Sequence, residues 1–207
     1  MLYRETVAEQ TFQLLQKISA LPELSNFQLA GGTSLSLQIG HRISYDLDFF
    51  SDSFIPNEQI LEALNGIGKI QVTSQSKRIL VLFIDGIKVD FVRHNYKNIE
   101  PPLLIDTIKL TGLKDIAAMK IHAITGRGRR RDFIDLYCLL KTFTLNQIFE
   151  FYSTRFTDGN TLMATRSLIF FNDAENDPEI QWMKNPISWD EVKDSIIKEV
   201  NAMLRST

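Results

Sequence analysis

Gly31-Gly32-Thr33-Ser34-Leu35-Ser36-Leu37 and, after Gln38-Ile39-Gly40, His41-Arg42-Ile43-Ser44-Tyr45-Asp46-Leu47-Asp48-Phe49-Phe50 decide how the rest of the chain is read. Side chains alternate across a strand, so a strand over Ile43 to Phe50 aims Asp46 and Asp48 at one face and turns Leu47 and Phe49 to the core. Two carboxylates side by side repel each other unless a cation neutralises them. Mg²⁺ is commonly held by one or two carboxylates together with substrate phosphates. The glycines present backbone N–H groups at the start of a helix, which suits an anion. A phosphate cradle just ahead of an acidic pair is what a nucleoside triphosphate requires, so the stretch points to phosphoryl or nucleotidyl transfer. An ordinary tight turn with a capping hydroxyl, and two polar residues on the solvated face of an edge strand, fit the same letters. Against them, Tyr45, Leu47, Phe49 and Phe50 make the surroundings apolar, where unpaired carboxylates are costly.

Working outward, Val7, Leu14, Ile18 and Leu21 stand at helical spacing, and Phe27 to Ala30 reads as a short strand running into the Gly-Gly turn. Thr33-Ser34 opens a short helix carrying Leu35, Leu37 and Ile39. Asn57 is placed to cap a helix that buries Ile60, Leu61 and Leu64 and stops at Gly66. Ile79 to Ile84 and Ile87 to Val92 flank Asp85-Gly86, a strong hairpin signal. In the second run Asp90 leaves the face that Val89 packs, which makes it a candidate third carboxylate; a surface position suits it equally. Three acidic groups on adjacent strands would permit two-metal catalysis.

From Thr111 the pattern turns helical. Ala117, Ile121 and Ile124 mark one helix, which Gly126 and Gly128 are expected to close around a cluster of arginines. Helical spacing resumes over Asp132 to Leu140, around Ile148 to Phe151 and over Leu162 to Phe171. Ser188 with Glu191 forms a capping box ahead of Val192, Ile196, Val200 and Leu204. The expected fold class is therefore α+β: a mixed β-sheet core with flanking helices over residues 1–105, then a helical lobe over 106–207. No Pro/Gly/Ser linker separates them, so two closely packed lobes are expected.

Composition narrows the functions. The 207 residues are 44% hydrophobic and 23% charged, as in a soluble globular protein. With 23 basic and 25 acidic residues the net charge is −2, so nucleic-acid binding would need a local patch. The single cysteine, Cys138, excludes an internal disulfide and is expected in the core. No apolar run approaches the ~18 residues that span a bilayer and no secretory signal is visible, so no membrane role and a cytoplasmic location are expected.

Lys120 lies about one turn from Ile116 and Ile124, where a lysine is ordinarily solvated or snorkels from the edge of a buried face. Arg127, Arg129, Arg130 and Arg131 form the densest basic cluster, suited to a solvated turn or to triphosphate or RNA backbone. Asp132 and Asp135 follow one helical turn apart and suit pairing with those arginines. His41 stands beside Arg42 close to the acidic strand as a supporting group, while His94 and His122 are expected to be structural.

These residues resemble the AbiEii/AbiGii-type toxin nucleotidyltransferases of the polymerase-β-like superfamily. The first signature matches from Gly31 to Leu37 and from His41 to Phe50. Lys120, then Arg131-Asp132-Phe133-Ile134-Asp135-Leu136-Tyr137, is similar to the family's later Lys and Arg-Asp-x-x-Asp-Leu motifs. The resemblance runs from about Phe27 to Leu140. It implies a nucleotidyltransferase α/β core with a helical C-terminal lobe, and Mg²⁺ on Asp46 and Asp48, with Asp90 as a third ligand. It implies triphosphate at Gly31, Gly32, Thr33 and Ser34 with Arg42 and Arg131, and catalytic parts for Asp46, Asp48, Lys120, Asp132 and Asp135. It further implies NTP as substrate, RNA, in particular tRNA, as acceptor, and a cognate antitoxin as partner. A small-molecule acceptor such as an antibiotic, or a non-catalytic NTP-binding regulator, are the competing functions.

Overall fold

In the computed structural model, which describes residues 2–183 and 185–206, the chain divides into two compact units, Met1–Lys97 with Pro101–Gly112, and Asn98–Glu100 with Leu113–Thr207. The first unit holds α1 (Glu9–Ser19), β1 (Gln28–Ala30), α2 (Gly31–Ile39), β2 (Leu47–Ser51), α3 (Asn57–Ala63), β3 (Ile70–Gln75), β4 (Ile79–Ile84), β5 (Ile87–Arg93), β6 (Leu103–Ile105) and β7 (Ile108–Leu110). Its seven strands form one sheet in the order β3-β4-β5-β2-β1-β7-β6. The pairs β2–β5 and β1–β7 are parallel and the rest antiparallel, so the sheet is mixed.

The alternation read from the sequence explains how the sheet uses its two faces. Leu47 and Phe49 on β2, Val89 and Phe91 on β5, and Leu80 and Leu82 on β4 are buried. Phe91 anchors this face, stacking on Phe49 at 5.3 Å between centroids and meeting Phe27 edge-on at 5.1 Å. The residues between them, Asp48, Phe50, Lys88, Asp90 and Val92, lie on the other face and are only half-buried. A one-residue slip would drive both aspartates into the aromatic core, so burial fixes the register. At the hairpin, Asp85 (φ 49°) and Gly86 (φ 84°) both adopt left-handed geometry, the turn that Asp-Gly favours.

Two local expectations fail. The strand expected over Ile43 to Phe50 begins only at Leu47. β1 ends at Ala30, opposite Asp48, and the chain then coils into α2, so Asp46 has no strand across from it on that side. Asn57 does not cap α3: Pro56 holds that position, and the Asn57 amide bonds the Ser76 carbonyl and accepts from Arg93.

The second unit contains α4 (Leu113–Arg127), α5 (Arg130–Leu139), α6 (Leu145–Arg155), α7 (Thr161–Ser167) and α8 (Trp189–Ser206). Gly126 lies inside α4 rather than closing it. The left-handed residue just past the helix is Gly128 (φ 51°), whose N–H bonds the Ile124 carbonyl at 3.1 Å. Ahead of α8, the Ser188 hydroxyl accepts the Glu191 N–H at 3.1 Å, as the capping pattern requires. Phe133, Phe171 and Trp189 meet pairwise at 5.0 to 5.8 Å and tie α5 to the start of α8. Residues 98–100 belong to this unit because the buried Asp115 carboxylate accepts the Ile99 and Glu100 N–H groups while pairing with buried Arg155. Cys138 is buried. None of the described helices is long and apolar enough to cross a membrane.

Candidate functional site

Three strands of the first unit set the geometry. Asp48 lies in register between Ala30 of β1 and Asp90 of β5. Side chains of register partners share a face, so the Asp48 and Asp90 side chains leave the same face of the sheet from neighbouring strands. On the other side of Asp48, Ala30 leads directly into Gly31. A Cβ at Gly31 would overlap Asp48 Oδ2, and Gly31 has φ 64°; both facts call for glycine. The start of α2, Asp48 and Asp90 therefore form one row. A Cβ at Gly32 would overlap the Arg42 guanidinium, which is itself buried and donates to the Ile43 carbonyl at 3.0 Å.

Thr33 and Ser34, expected at the phosphate, are buried, and their hydroxyls bond within the protein. The Thr33 hydroxyl donates to the Asp46 carbonyl and is paired with the Ser44 hydroxyl at 2.8 Å. The Ser34 hydroxyl accepts from the Gln38 amide at 3.1 Å, and the same amide donates to the Thr111 carbonyl. Thr33 thus holds the segment that carries Asp46, which is half-buried. His41 is buried.

Asp90 has a partner two residues back on its own strand. The Lys88 ammonium lies 2.5 Å from Asp90 Oδ2, whereas Asp90 Oδ1 is buried without a hydrogen-bond partner. The signal was available, since residues two apart on a strand share a face.

The donors suit a hard divalent cation. Both are carboxylates, they share one sheet face on neighbouring strands, and one buried oxygen lacks the partner that such atoms normally have. Among the described residues, no group of three or more His, Cys, Asp or Glu side chains is arranged to hold a metal. Two carboxylates are what Mg²⁺ commonly takes from a protein when substrate phosphates complete its shell.

In the second unit Lys120 is buried, not solvated. Its ammonium lies 2.8 Å from Asp132 Oδ1 and 2.6 Å from Asp135 Oδ2, and Arg127 Nε donates to Asp132 Oδ2 at 3.1 Å. Burial alone would raise the Asp132 pKa, but the Lys120 and Arg127 charges outweigh it and hold the carboxyl below its ordinary range. Of the arginine cluster, Arg129 pairs with Asp177 at 2.7 Å, and Arg130 donates to the Ala174 carbonyl and lies over Trp189. These two pin residues 174–177; Arg131 is exposed. His122 stacks on Phe156 at 4.3 Å and His94 accepts the Tyr96 N–H, as structural histidines do.

The model of the AbiEii nucleotidyl transferase toxins of type IV toxin–antitoxin systems matches residues 13–202. The chain belongs to this family. The AbiEii assignment makes it a nucleotidyltransferase, an enzyme that moves a nucleoside monophosphate. A protein of Aquifex aeolicus (strain VF5), aq_aa25, is 32% identical over 204 residues, covering 94% of this chain and 96% of its own. The fold of this AbiEii member resembles that of JHP933 from Helicobacter pylori, with TM-score 0.55, 18% identity, and 97% and 94% of the two chains covered. It also resembles the antibiotic-resistance factor ANT(2'')-Ia, with TM-score 0.50, 14% identity, and 70% and 90% covered.

Proposed function

We propose that this enzyme transfers a nucleoside monophosphate from an NTP to RNA in a Mg²⁺-dependent reaction, with tRNA as the acceptor class, and that it acts as the toxin of an antitoxin-paired system. The observation that supports this most is the row formed by the start of α2, Asp48 and Asp90. Asp48 and Asp90 would hold the cation, with Asp46 beside them. When bound, it would supply charge neutralisation at the phosphates. The α2 N–H groups at Gly31 and Gly32 would donate hydrogen bonds to phosphate oxygens. Thr33 would keep Asp46 in place through its backbone carbonyl. An acceptor hydroxyl attacks the α-phosphorus, the bond to the β-phosphate oxygen breaks, and pyrophosphate departs; the protein's part is positioning and electrostatic stabilisation. Lys120, Asp132, Asp135 and Arg131 are carried as contributors from the helical unit on the motif they match, and the antitoxin on family membership.

One observation favours a second reading, a small-molecule acceptor. Arg129 and Arg130 are engaged inside their own unit, which reduces the basic surface on offer to RNA. Incubating the protein with Mg²⁺, each α-labelled NTP and total cellular RNA separates the two. Label in an RNA band supports the proposal. Label found only in small molecules, or in nothing, contradicts it.

A further inference from the structure

The two oxygens of Asp90 have different surroundings. Oδ2 receives the Lys88 ammonium at 2.5 Å, and Oδ1 is buried without a partner. Lys88 is two residues back on β5 and so shares the face on which Asp90 and Asp48 lie. It also precedes Val89, whose register partner Leu47 directly follows Asp46. One positive charge is therefore built into the row directly against Asp90. The side chain of Lys88 is 34% exposed and that of Asp90 18%, so the pair is neither a rigid buried bridge nor a fully solvated one.

We propose that Lys88 competes with the divalent cation for Asp90: its ammonium neutralises this carboxylate in the protein alone and weakens cation binding there. The inference rests on Asp48 and Asp90 being the metal carboxylates. Two cations within a few ångströms of one carboxylate oppose each other's binding, and neither is screened by salt at that range. A lysine suits the part, because its ammonium is a compact charge on a flexible stem and a half-exposed pair separates at little cost. Lys88 thereby keeps the aspartate row from taking up a divalent ion ahead of the nucleotide, and makes loading depend on the extra ligands that substrate phosphates bring.

Mn²⁺ titration without nucleotide, with free Mn²⁺ read by electron paramagnetic resonance, tests this on the full chain. Lys88→Met should bind Mn²⁺ about tenfold more tightly than the wild type, while Lys88→Arg keeps the weaker affinity. Asp48→Asn should weaken binding in both the wild-type and the Lys88→Met backgrounds. If Lys88→Met binds no more tightly than the wild type while Asp48→Asn still weakens binding, Lys88 is not a competitor, and the metal reading stands without it. If no protein binds Mn²⁺, or Asp48→Asn changes nothing in the Lys88→Met background, the metal reading itself is overturned and the inference goes with it. Equal thermal unfolding of all five proteins shows that the differences are not lost fold.

Discussion

The molecule contains two pairs of aspartates that it treats in opposite ways. In the helical unit, Asp132 and Asp135 are fully buried and Lys120 and Arg127 neutralise them. In the sheet unit, Asp48 and Asp90 are half-buried, and one Asp90 oxygen has no hydrogen-bond partner. The first pair has its charge met by cations of the same unit. The second is half-buried and set side by side by strand register, with the Asp90 Oδ1 oxygen left without a hydrogen bond.

Breaking the buried cluster should produce the largest effect. Lys120→Met removes the ammonium that pairs with two fully buried carboxylates, and should cost about 3 to 5 kcal/mol of stability. Urea unfolding checks it; a loss below about 1 kcal/mol would mean that the cluster is solvated in solution. Asp48→Ala should do the reverse. Transfer of label from an α-labelled NTP should fall by about a thousandfold or more, with the melting temperature unchanged or raised.

Much of this contrast can be read in the letters, and some cannot. Asp85-Gly86 specifies its hairpin locally, and the alternation through Leu47-Asp48-Phe49 assigns faces to β2, because both signals lie within a few residues. Asp46 was misplaced because the end of its strand is set by where β1 turns into α2, sixteen residues earlier in the chain at Ala30. Strand β3 gives little signal: Val72 to Gln75 are exposed, so no apolar alternation marks them. The burial of Lys120 was missed because its two partners come from the next helix. The sequence leaves Arg129 and Arg130 open between a solvated turn and a triphosphate or RNA site for the same reason, since their partners lie more than forty residues on.

Smaller effects sharpen the comparison. Gly31→Ala places a methyl group against the Asp48 carboxylate and forces an alanine to positive φ, costing about 1 to 2 kcal/mol. Activity should suffer more than stability does, because Asp48 must move. Parallel kinetics and melting curves check this, and equal activity would show that the row is more tolerant than its geometry implies. The pH dependence is gentler. Asp132 has its pKa depressed from the ordinary 3.8, so its stabilising contribution is present above that value and is lost as pH falls below it through the folded-state pKa. Acid unfolding of Asp132→Asn, compared with the wild type, should show a shallower loss of stability below that value. Parallel curves would remove Asp132 from the account.

The central claim is that Asp48 and Asp90, beside the start of α2, hold the cation that accompanies a triphosphate. A crystal structure with Mn²⁺ and a non-hydrolysable NTP, phased on the manganese anomalous signal, tests it directly. The account predicts an anomalous peak within ligand distance of both Asp48 and Asp90, with phosphate density over Gly31 and Gly32. A peak bound elsewhere, or phosphates seated away from the α2 start, would contradict it.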